Sequence, residues 1–372
     1  MDSSSFSSFT PVAAYGFFLI LLAGQFDNHF WRVMCVFATW KSLWYWPWAE
    51  DQAWYISCFF ALFISTGIWM IPHLRFPHKR AGCVVITGAD SGMGQQTVLY
   101  LAQTNTKANN QYDKIFAAAF DAKACQEKLE ELIQDKSAFK YIQVISLDVT
   151  KDESVKLAAK TVKDYLQEHK TFLSGVVNYH GIAYNGPLSY MPLSLYQQQM
   201  EVNFFGNVRM CQAFLPILRD TTHATTNFRR LVFTGTGGGP VSPCPPLLSA
   251  YMSSKFAGEA MAQSLKQELY MTREAGPVID VSVINPGFVK PTMLIADGMK
   301  LSERMWKLCE DVWGSSIAKD TYGKMMDHFN EYAALQPGTH VSEVCKAAEH
   351  ALTANKARSS YKVGIDSKLA PL

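Results

Sequence analysis

Tyr251 and Lys255 stand four residues apart in Tyr251-Met252-Ser253-Ser254-Lys255. On a helix that spacing puts both side chains on one face, one turn apart. An ammonium beside a phenol stabilises the tyrosinate and pulls its pKa down from about 10. The spacing predicts a Tyr251 able to give a proton to a carbonyl or take one from a carbinol. Roughly 160 residues upstream, Val84-Val85-Ile86-Thr87-Gly88-Ala89-Asp90-Ser91-Gly92-Met93-Gly94 runs from a β-branched stretch into a glycine-rich turn. Residues 95–103 follow, with Val98, Leu99 and Ala102 on one helical face. Strand, glycine turn and helix together set backbone N–H groups at a helix N-terminus against a pyrophosphate. The glycines read G-x-x-x-G-x-G, not the G-x-G-x-x-G fingerprint. Either motif alone recurs by chance; the two in this order are far more specific.

With both motifs in place the chain resembles the short-chain dehydrogenase/reductase family over residues 82–362. Under that resemblance Thr87, Gly88, Ser91, Gly92, Met93 and Gly94 form the cofactor turn. Leu147-Asp148-Val149-Thr150 looks like the strand end whose Asp148, with Val149, meets the adenine. Asn178-Tyr179-His180-Gly181 occupies the place of the family's N-N-A-G turn, with Asn178 and Gly181 retained. Val202-Asn203-Phe204-Phe205-Gly206 looks like the helix carrying a structural and catalytic Asn203. Asn285-Pro286-Gly287 resembles the turn in which Pro286 and Gly287 meet the nicotinamide amide. Phe214-Leu215-Pro216, Ser254-Lys255-Phe256-Ala257 and Pro286-Gly287-Phe288 look most like the retinol, 17β-hydroxysteroid and 3-hydroxybutyrate dehydrogenase group. The resemblance implies hydride transfer between a nicotinamide cofactor and a secondary alcohol or ketone. Tyr251 would be the general acid or base. Lys255 would tune it and hold the nicotinamide ribose, and Asn203 would fix a water behind Lys255. A homodimer or homotetramer is expected on the same ground.

The departures are specific. The family places a serine about a dozen residues before the tyrosine; here Leu231-Val232-Phe233-Thr234 runs into Gly235-Thr236-Gly237-Gly238-Gly239. Thr236 best fills the serine position, and its hydroxyl can make the same hydrogen bonds; Ser242 is a second candidate. Tyr179 and His180 replace small residues. His180 is either a bulky cofactor neighbour or, the reading favoured here, a side chain facing solvent. For the cofactor, an acid at the end of the second strand accepts from the ribose of NAD, and an arginine there accommodates NADP. The strand ends Ala118-Ala119-Phe120-Asp121 with no arginine, so NAD is favoured over NADP through Asp121. The competing reading makes Asp121 a helix cap.

Composition bounds the remaining classes. Hydrophobic residues make up 48% of 372, ample for a core, and a net charge of +2 leaves no basic footprint for nucleic acid. The nine histidines and eight cysteines show no metal-ligand spacing, so no metal is expected and reduced cysteines are. Alternating strand and helix patterns over 83–284 predict an α/β fold, a doubly wound Rossmann-like parallel sheet. One helical stretch is expected over 193–218, interrupted before Pro216.

Residues 1–80 are a different material, holding seven of the nine tryptophans. Residues 53–71 form a 19-residue uncharged run, close to the roughly 20 needed to cross a bilayer. Residues 11–26 are a second uncharged run, and Asp2 without a neighbouring Lys or Arg argues against a cleaved signal. These predict a membrane anchor of one or two spans before a catalytic domain over 81–372. Arg75, Lys79 and Arg80 follow the second run, which puts that domain in the cytosol by the positive-inside rule. Endoplasmic reticulum is expected from the resemblance, with mitochondrion as the alternative.

Residues 292–335 hold Met293, Leu294, Ile295, Met299, Met305, Trp306, Trp313, Tyr322, Met325, Met326 and Phe329. Most read as core. In the resembled family the segment is a lid, and methionine suits adaptable apolar sites. Anchor and lid together point to a lipophilic substrate, a retinoid or steroid first. A catalytically idle nucleotide-binding membrane protein of the same fold is the alternative.

Overall fold

The structure, a computed structural model, describes residues 80–105, 111–237, 239, 244–290, 298–314, 316–336 and 338–369. All fall in the second of the chain's two units, His78–Leu372. Residues 1–79 of the expected anchor, Ser242, and Met293, Leu294 and Ile295 of the lid lie outside the described residues. Among the described residues no helix is long and apolar enough to cross a membrane.

In chain order the first half is β1 (Cys83–Thr87), α1 (Gly92–Thr104), β2 (Lys114–Ala119), α2 (Ala122–Leu132), β3 (Ile142–Ser146), α3 (Asp152–Glu168) and β4 (Leu173–Asn178). Then come α4 (Leu193–Met200), a π-helical turn (Glu201–Phe205), α5 (Gly206–Arg219), β5 (Phe228–Thr234), α6 (Ser249–Met271) and β6 (Val278–Pro286). The chain closes with β7 (Val289–Lys290), α7 (Gly298–Trp313), α8 (Ile317–Leu335), β8 (Thr339–His340), α9 (Val341–Thr353), β9 (Ser360–Val363) and α10 (Ile365–Leu369).

Seven strands form one parallel sheet in the order β3-β2-β1-β4-β5-β6-β9. A parallel sheet must be covered on both faces, which is why its strands are apolar throughout. The alternation along β1 shows this. Val84 and Ile86 enter one core with Val98 and Leu99 of α1, Leu129 of α2 and Val344 and Ala348 of α9. Cys83 and Val85 enter the other with Val155 and Val162 of α3, Met210 and Phe214 of α5 and Ala262 of α6. The chain builds outward from β1 to β3, then returns to β4 on the far side of β1. That reversal opens a crevice beyond the carboxyl ends of β1 and β4, the place where such sheets bind ligands.

The helical stretch over 193–218 is corrected in detail. Pro216 lies inside α5 without ending it, and the break is the π-turn fifteen to eleven residues earlier. A π-turn adds a residue to the helix and re-aims its side chains; here it carries Asn203. A late strand and helix, β9 and α9, complete the sheet edge and one face of the core.

Candidate active site

The glycine turn forms because α1 begins almost against the end of β1. A side chain on Gly94 would lie 2.6 Å from the Gly88 carbonyl carbon and 2.8 Å from the Thr87 oxygen. Only glycine permits that approach. It opens the N-terminus of α1 onto a cleft of about 770 Å³ lined by Gly88, Ser91, Gly92, Met93 and Gly94 on one wall. Leu147 to Thr150 and Tyr179 to Tyr184 line it as well, with Asp90, Phe120, Gln198 and Val202. Asp148 shapes its segment as an Asx turn, its Oδ1 accepting from Thr150 N at 2.9 Å and Thr150 Oγ1 at 2.7 Å. Val149 lines the cleft beside it.

Thr87 stands behind the turn, fully buried. Its Oγ1 accepts from Tyr179 N at 3.0 Å and His180 N at 3.2 Å and pairs with His180 Nδ1 at 2.8 Å. It thus stitches the β1 turn to the β4 turn rather than facing a ligand. The solvent reading of His180 is corrected by the same bonds: its ring is 8% exposed, wedged beside Val149 and Gly206. Burial first, and the Lys255 charge second, hold its pKa down to about 3, so it is a neutral imidazole. Asn178 is buried and its carbonyl accepts from Thr234 Oγ1 at 2.8 Å, tying β4 to β5.

Beyond Gly181 the second cluster assembles. Lys255 Nζ lies 3.3 Å from where a Gly181 side chain would start, and Asn203 Oδ1 3.2 Å from it. Lys255 is buried on the inner face of α6, donates to Thr234 O at 3.1 Å, and lies 5.8 Å from the Tyr251 ring centre. Asn203, also buried, spends its amide on neighbouring groups. It clamps the backbone of Ile182, accepting from its N–H at 2.8 Å and donating to its carbonyl at 2.9 Å. Its Nδ2 also donates to Ser254 Oγ at 2.9 Å, so the π-turn fixes α6 and the Gly181 turn together.

Thr236 stands in the loop after β5, its Oγ1 3.9 Å from Met252 Sδ on α6 and close enough to the Tyr251 phenol to favour its ionised form. Gly237 packs on the next turn, its side-chain direction 3.4 Å from both the Pro286 oxygen and Gly287 Cα. That turn is closed by Asp366, whose Oδ2 accepts from Phe288 N at 2.6 Å. Asp366 was not foreseen, because it lies some 80 residues downstream with no local signal.

The expected fall in the Tyr251 pKa is corrected. Burial pushes it up to about 12, against the pull of the Thr236 hydroxyl. Burial also lowers Lys255 to about 8. Desolvation disfavours the charged form of both groups and outweighs their mutual attraction at this separation.

Of the two readings of Asp121, the structure shows the helix cap. Its exposed carboxylate accepts from Ala124 N at 3.0 Å and caps α2, and it does not line the cleft. Besides Asp148, an acid that does is Asp90, within the glycine turn, whose Oδ2 accepts from Phe120 N at 3.2 Å. An acid between the first two glycines was visible in the sequence.

On the substrate side, Met305, Cys309, Ala318 and Met326 of α7 and α8 pack with Tyr184, Met191, Leu195 and Leu247. Trp306 and Phe329 join them half-buried, whereas Trp313 and Met325 are exposed.

A family model described as short chain dehydrogenase matches residues 82–300. The chain is 28% identical to 17-beta-hydroxysteroid dehydrogenase type 6 of Bos taurus, over 81% of this chain and 86% of that one. It is 28% identical to short-chain dehydrogenase/reductase family 9C member 7 of Bos taurus (77% and 82% covered). To the mitochondrial D-beta-hydroxybutyrate dehydrogenase of the same species it is 27% identical, with 75% of each covered. Its fold is shared with a short chain dehydrogenase/reductase from Burkholderia phymatum solved with NAD, at a TM-score of 0.58 and 19% identity, covering 78% of this chain and 90% of that one. The glycine cradle, the Tyr251–Lys255–Thr236 cluster and the matched family model converge: the chain belongs to the short-chain dehydrogenase family and is an NAD(P)-dependent oxidoreductase acting on alcohols and ketones.

Proposed function

We propose that this protein is a membrane-anchored dehydrogenase that interconverts a secondary alcohol and ketone, or a retinol-like alcohol and its aldehyde, on a lipophilic substrate, a retinoid or steroid first. The observation that carries the chemistry is the buried Lys255 ammonium 5.8 Å from the Tyr251 ring centre, one helical turn away, with the Thr236 hydroxyl on the loop beside them. The nicotinamide, when bound, supplies or accepts the hydride. Gly88, Ser91, Gly92, Met93 and Gly94 would hold its diphosphate, and Val149 and Asp148 its adenine side. Asp90, with Asp121 committed to its cap, is the acid for the adenosine ribose; an acid and no arginine there favours NAD.

In reduction, Tyr251 Oη gives its proton to the substrate oxygen while Thr236 Oγ1 orients that oxygen. Lys255 as an ammonium stabilises the tyrosinate left behind. In oxidation the proton returns to Tyr251. Asn203 holds the Gly181–Ile182 backbone and α6 at fixed separation, so that phenol and ammonium meet the reacting carbon from one side.

The apolar cluster of Tyr184, Met191, Leu247, Met305 and Met326 beside this site supports an apolar substrate. The names of the steroid and hydroxybutyrate relatives bracket the substrate class. The uncharged runs at 11–26 and 53–71 support the anchor and a cytosolic catalytic domain on the endoplasmic reticulum, with the mitochondrion as the second site to examine.

The test is turnover of full-length protein in detergent against retinoids, steroids and 3-hydroxy acids with NAD and NADP, wild type beside Tyr251→Phe. Loss of the general acid should cost on the order of 10²–10⁴ in rate while cofactor fluorescence titration is unchanged. Equal turnover by the two proteins would remove Tyr251 from the chemistry. Cofactor binding without turnover on any substrate would favour the idle nucleotide binder.

A further inference from the structure

The inner face of α6 carries a third ionisable residue that the chemistry above does not use. Glu259 follows Tyr251 and Lys255 at the same four-residue spacing and is 7% exposed. Its carboxylate sits beside the Asn285 side chain on β6, whose Nδ2 donates to Ser360 Oγ at 3.3 Å, and Oε2 has no partner among the described residues. Lys362, opposite Asn285 in the β6–β9 register, supplies the facing charge. A buried carboxylate so sparsely bonded is costly to keep.

What sits on this pair is the loop that carries Thr236. The side-chain direction of Gly235 runs into Asn285 Oδ1, and that of Gly239 ends 3.3 Å from Glu259 Oε1 and 3.3 Å from Asn285 Nδ2. Gly239 N donates to Thr236 O at 2.9 Å, closing the loop into a turn. The glycine-rich insert thus folds down over the Glu259–Asn285 pair, and Thr236 is the one residue of the turn with a side chain free to reach Tyr251.

We propose that Glu259 is a positioning residue for the reaction: with Asn285 it forms the platform on which the Gly235–Gly239 turn rests, and so sets the distance from the Thr236 hydroxyl to the Tyr251 phenol. Burial raises the Glu259 carboxyl above its usual range, so its ionisation would register in the pH profile. The proposal rests on the reading of Thr236 as the group that orients the substrate oxygen.

The experiment is a double-mutant cycle on the full chain, Glu259→Ala and Thr236→Ala singly and together, with kcat, cofactor Kd and pH profile measured for each. Glu259→Ala should lower kcat on the order of tenfold to a hundredfold, the scale of a misplaced reacting group, with cofactor Kd within about twofold. The double variant should be no slower than Thr236→Ala alone, because residues acting through one group are not additive. Glu259→Gln, which keeps the side chain's shape beside Asn285, should restore most of kcat and lose the acidic limb of the profile. If Glu259→Ala does not fold, Glu259→Asp withdraws the carboxylate by one methylene and should lose kcat in part. Full kcat in Glu259→Ala or Glu259→Asp, or losses that simply multiply in the double variant, would overturn the proposal. Full kcat in Thr236→Ala would instead overturn the reading of Thr236.

Discussion

The two ends of the active cleft are built differently. The cofactor end is backbone: a glycine turn, an Asx turn and the Thr87 stitch between β1 and β4, set on cores that fill both faces of the sheet. The end proposed for the substrate is side chains: Met191 packed against Met305, Cys309 and Met326 of α7 and α8, with Trp313 and Met325 left exposed. A dinucleotide presents one shape, which fixed N–H groups can match; an apolar substrate is held by surfaces that repack. Tyr251, Lys255 and Thr236 stand at the junction of the two.

The sharpest way to probe that junction is Thr236→Val, which keeps the shape and removes the hydroxyl. Losing one preorganised donor should cost about 10²–10³ in kcat, with cofactor affinity intact, and Thr236→Ser should recover most of it. Equal losses in Ser and Val would assign the effect to the methyl group instead.

At the cofactor end, Gly94→Ala forces a methyl against the Gly88 carbonyl and should destabilise the fold by about 1–3 kcal/mol, with a matching rise in cofactor Kd. Met191→Leu at the substrate end, a volume-conserving change, should cost less than about 1.5 kcal/mol and alter the substrate preference. Calorimetry with cofactor titration compares the two directly.

A third test is pH. Lys255 is lowered to about 8, so it is an ammonium below that value and neutral above it. Reduction leaves a tyrosinate that the ammonium stabilises, so kcat/KM for reduction should fall roughly tenfold by one pH unit above 8. The sign for stability is the reverse: a depressed lysine pKa means the folded state resists the charge, so its penalty is largest below pH 8 and fades as pH rises toward the unfolded value. Lys255→Arg keeps its charge throughout and should lose the alkaline limb, whatever its absolute rate.

The smallest expected effect belongs to Asp121→Ala. Removing a helix cap should cost about 1 kcal/mol of stability. Cofactor affinity should stay unchanged, whereas Asp90→Ala should raise the Kd for NAD. A rise in Kd from Asp121→Ala would return the ribose contact to the second strand.

Which parts of this were legible in the sequence follows from range. The strands at 83–87 and 173–178, the glycine turn and the Tyr251/Lys255 helix face are local patterns of spacing and apolarity, and the structure reproduces them. Thr236 as the serine substitute is proposed from the strand before it. Asn203 was found by motif, but its clamp on Ile182 depends on a π-turn that no spacing announces. His180 was misjudged because an imidazole is polar in a sequence; Thr87, Val149 and Gly206 gave it a dry slot only once four segments met.

The sequence by itself determined the alternating strands and helices, the glycine cradle and the helical face that carries Tyr251 and Lys255. Each is dictated by a residue's own steric and hydrogen-bonding limits within one turn or strand. Only the tertiary structure decided the proton affinities and the partners of distant groups. It raised Tyr251 where the spacing alone predicts a fall, turned Asp121 into a cap, and brought Asp366 to Phe288 and Glu259 to the Thr236 turn. Desolvation and long-range contact depend on what surrounds a group, and those surroundings exist only after the sheet has closed.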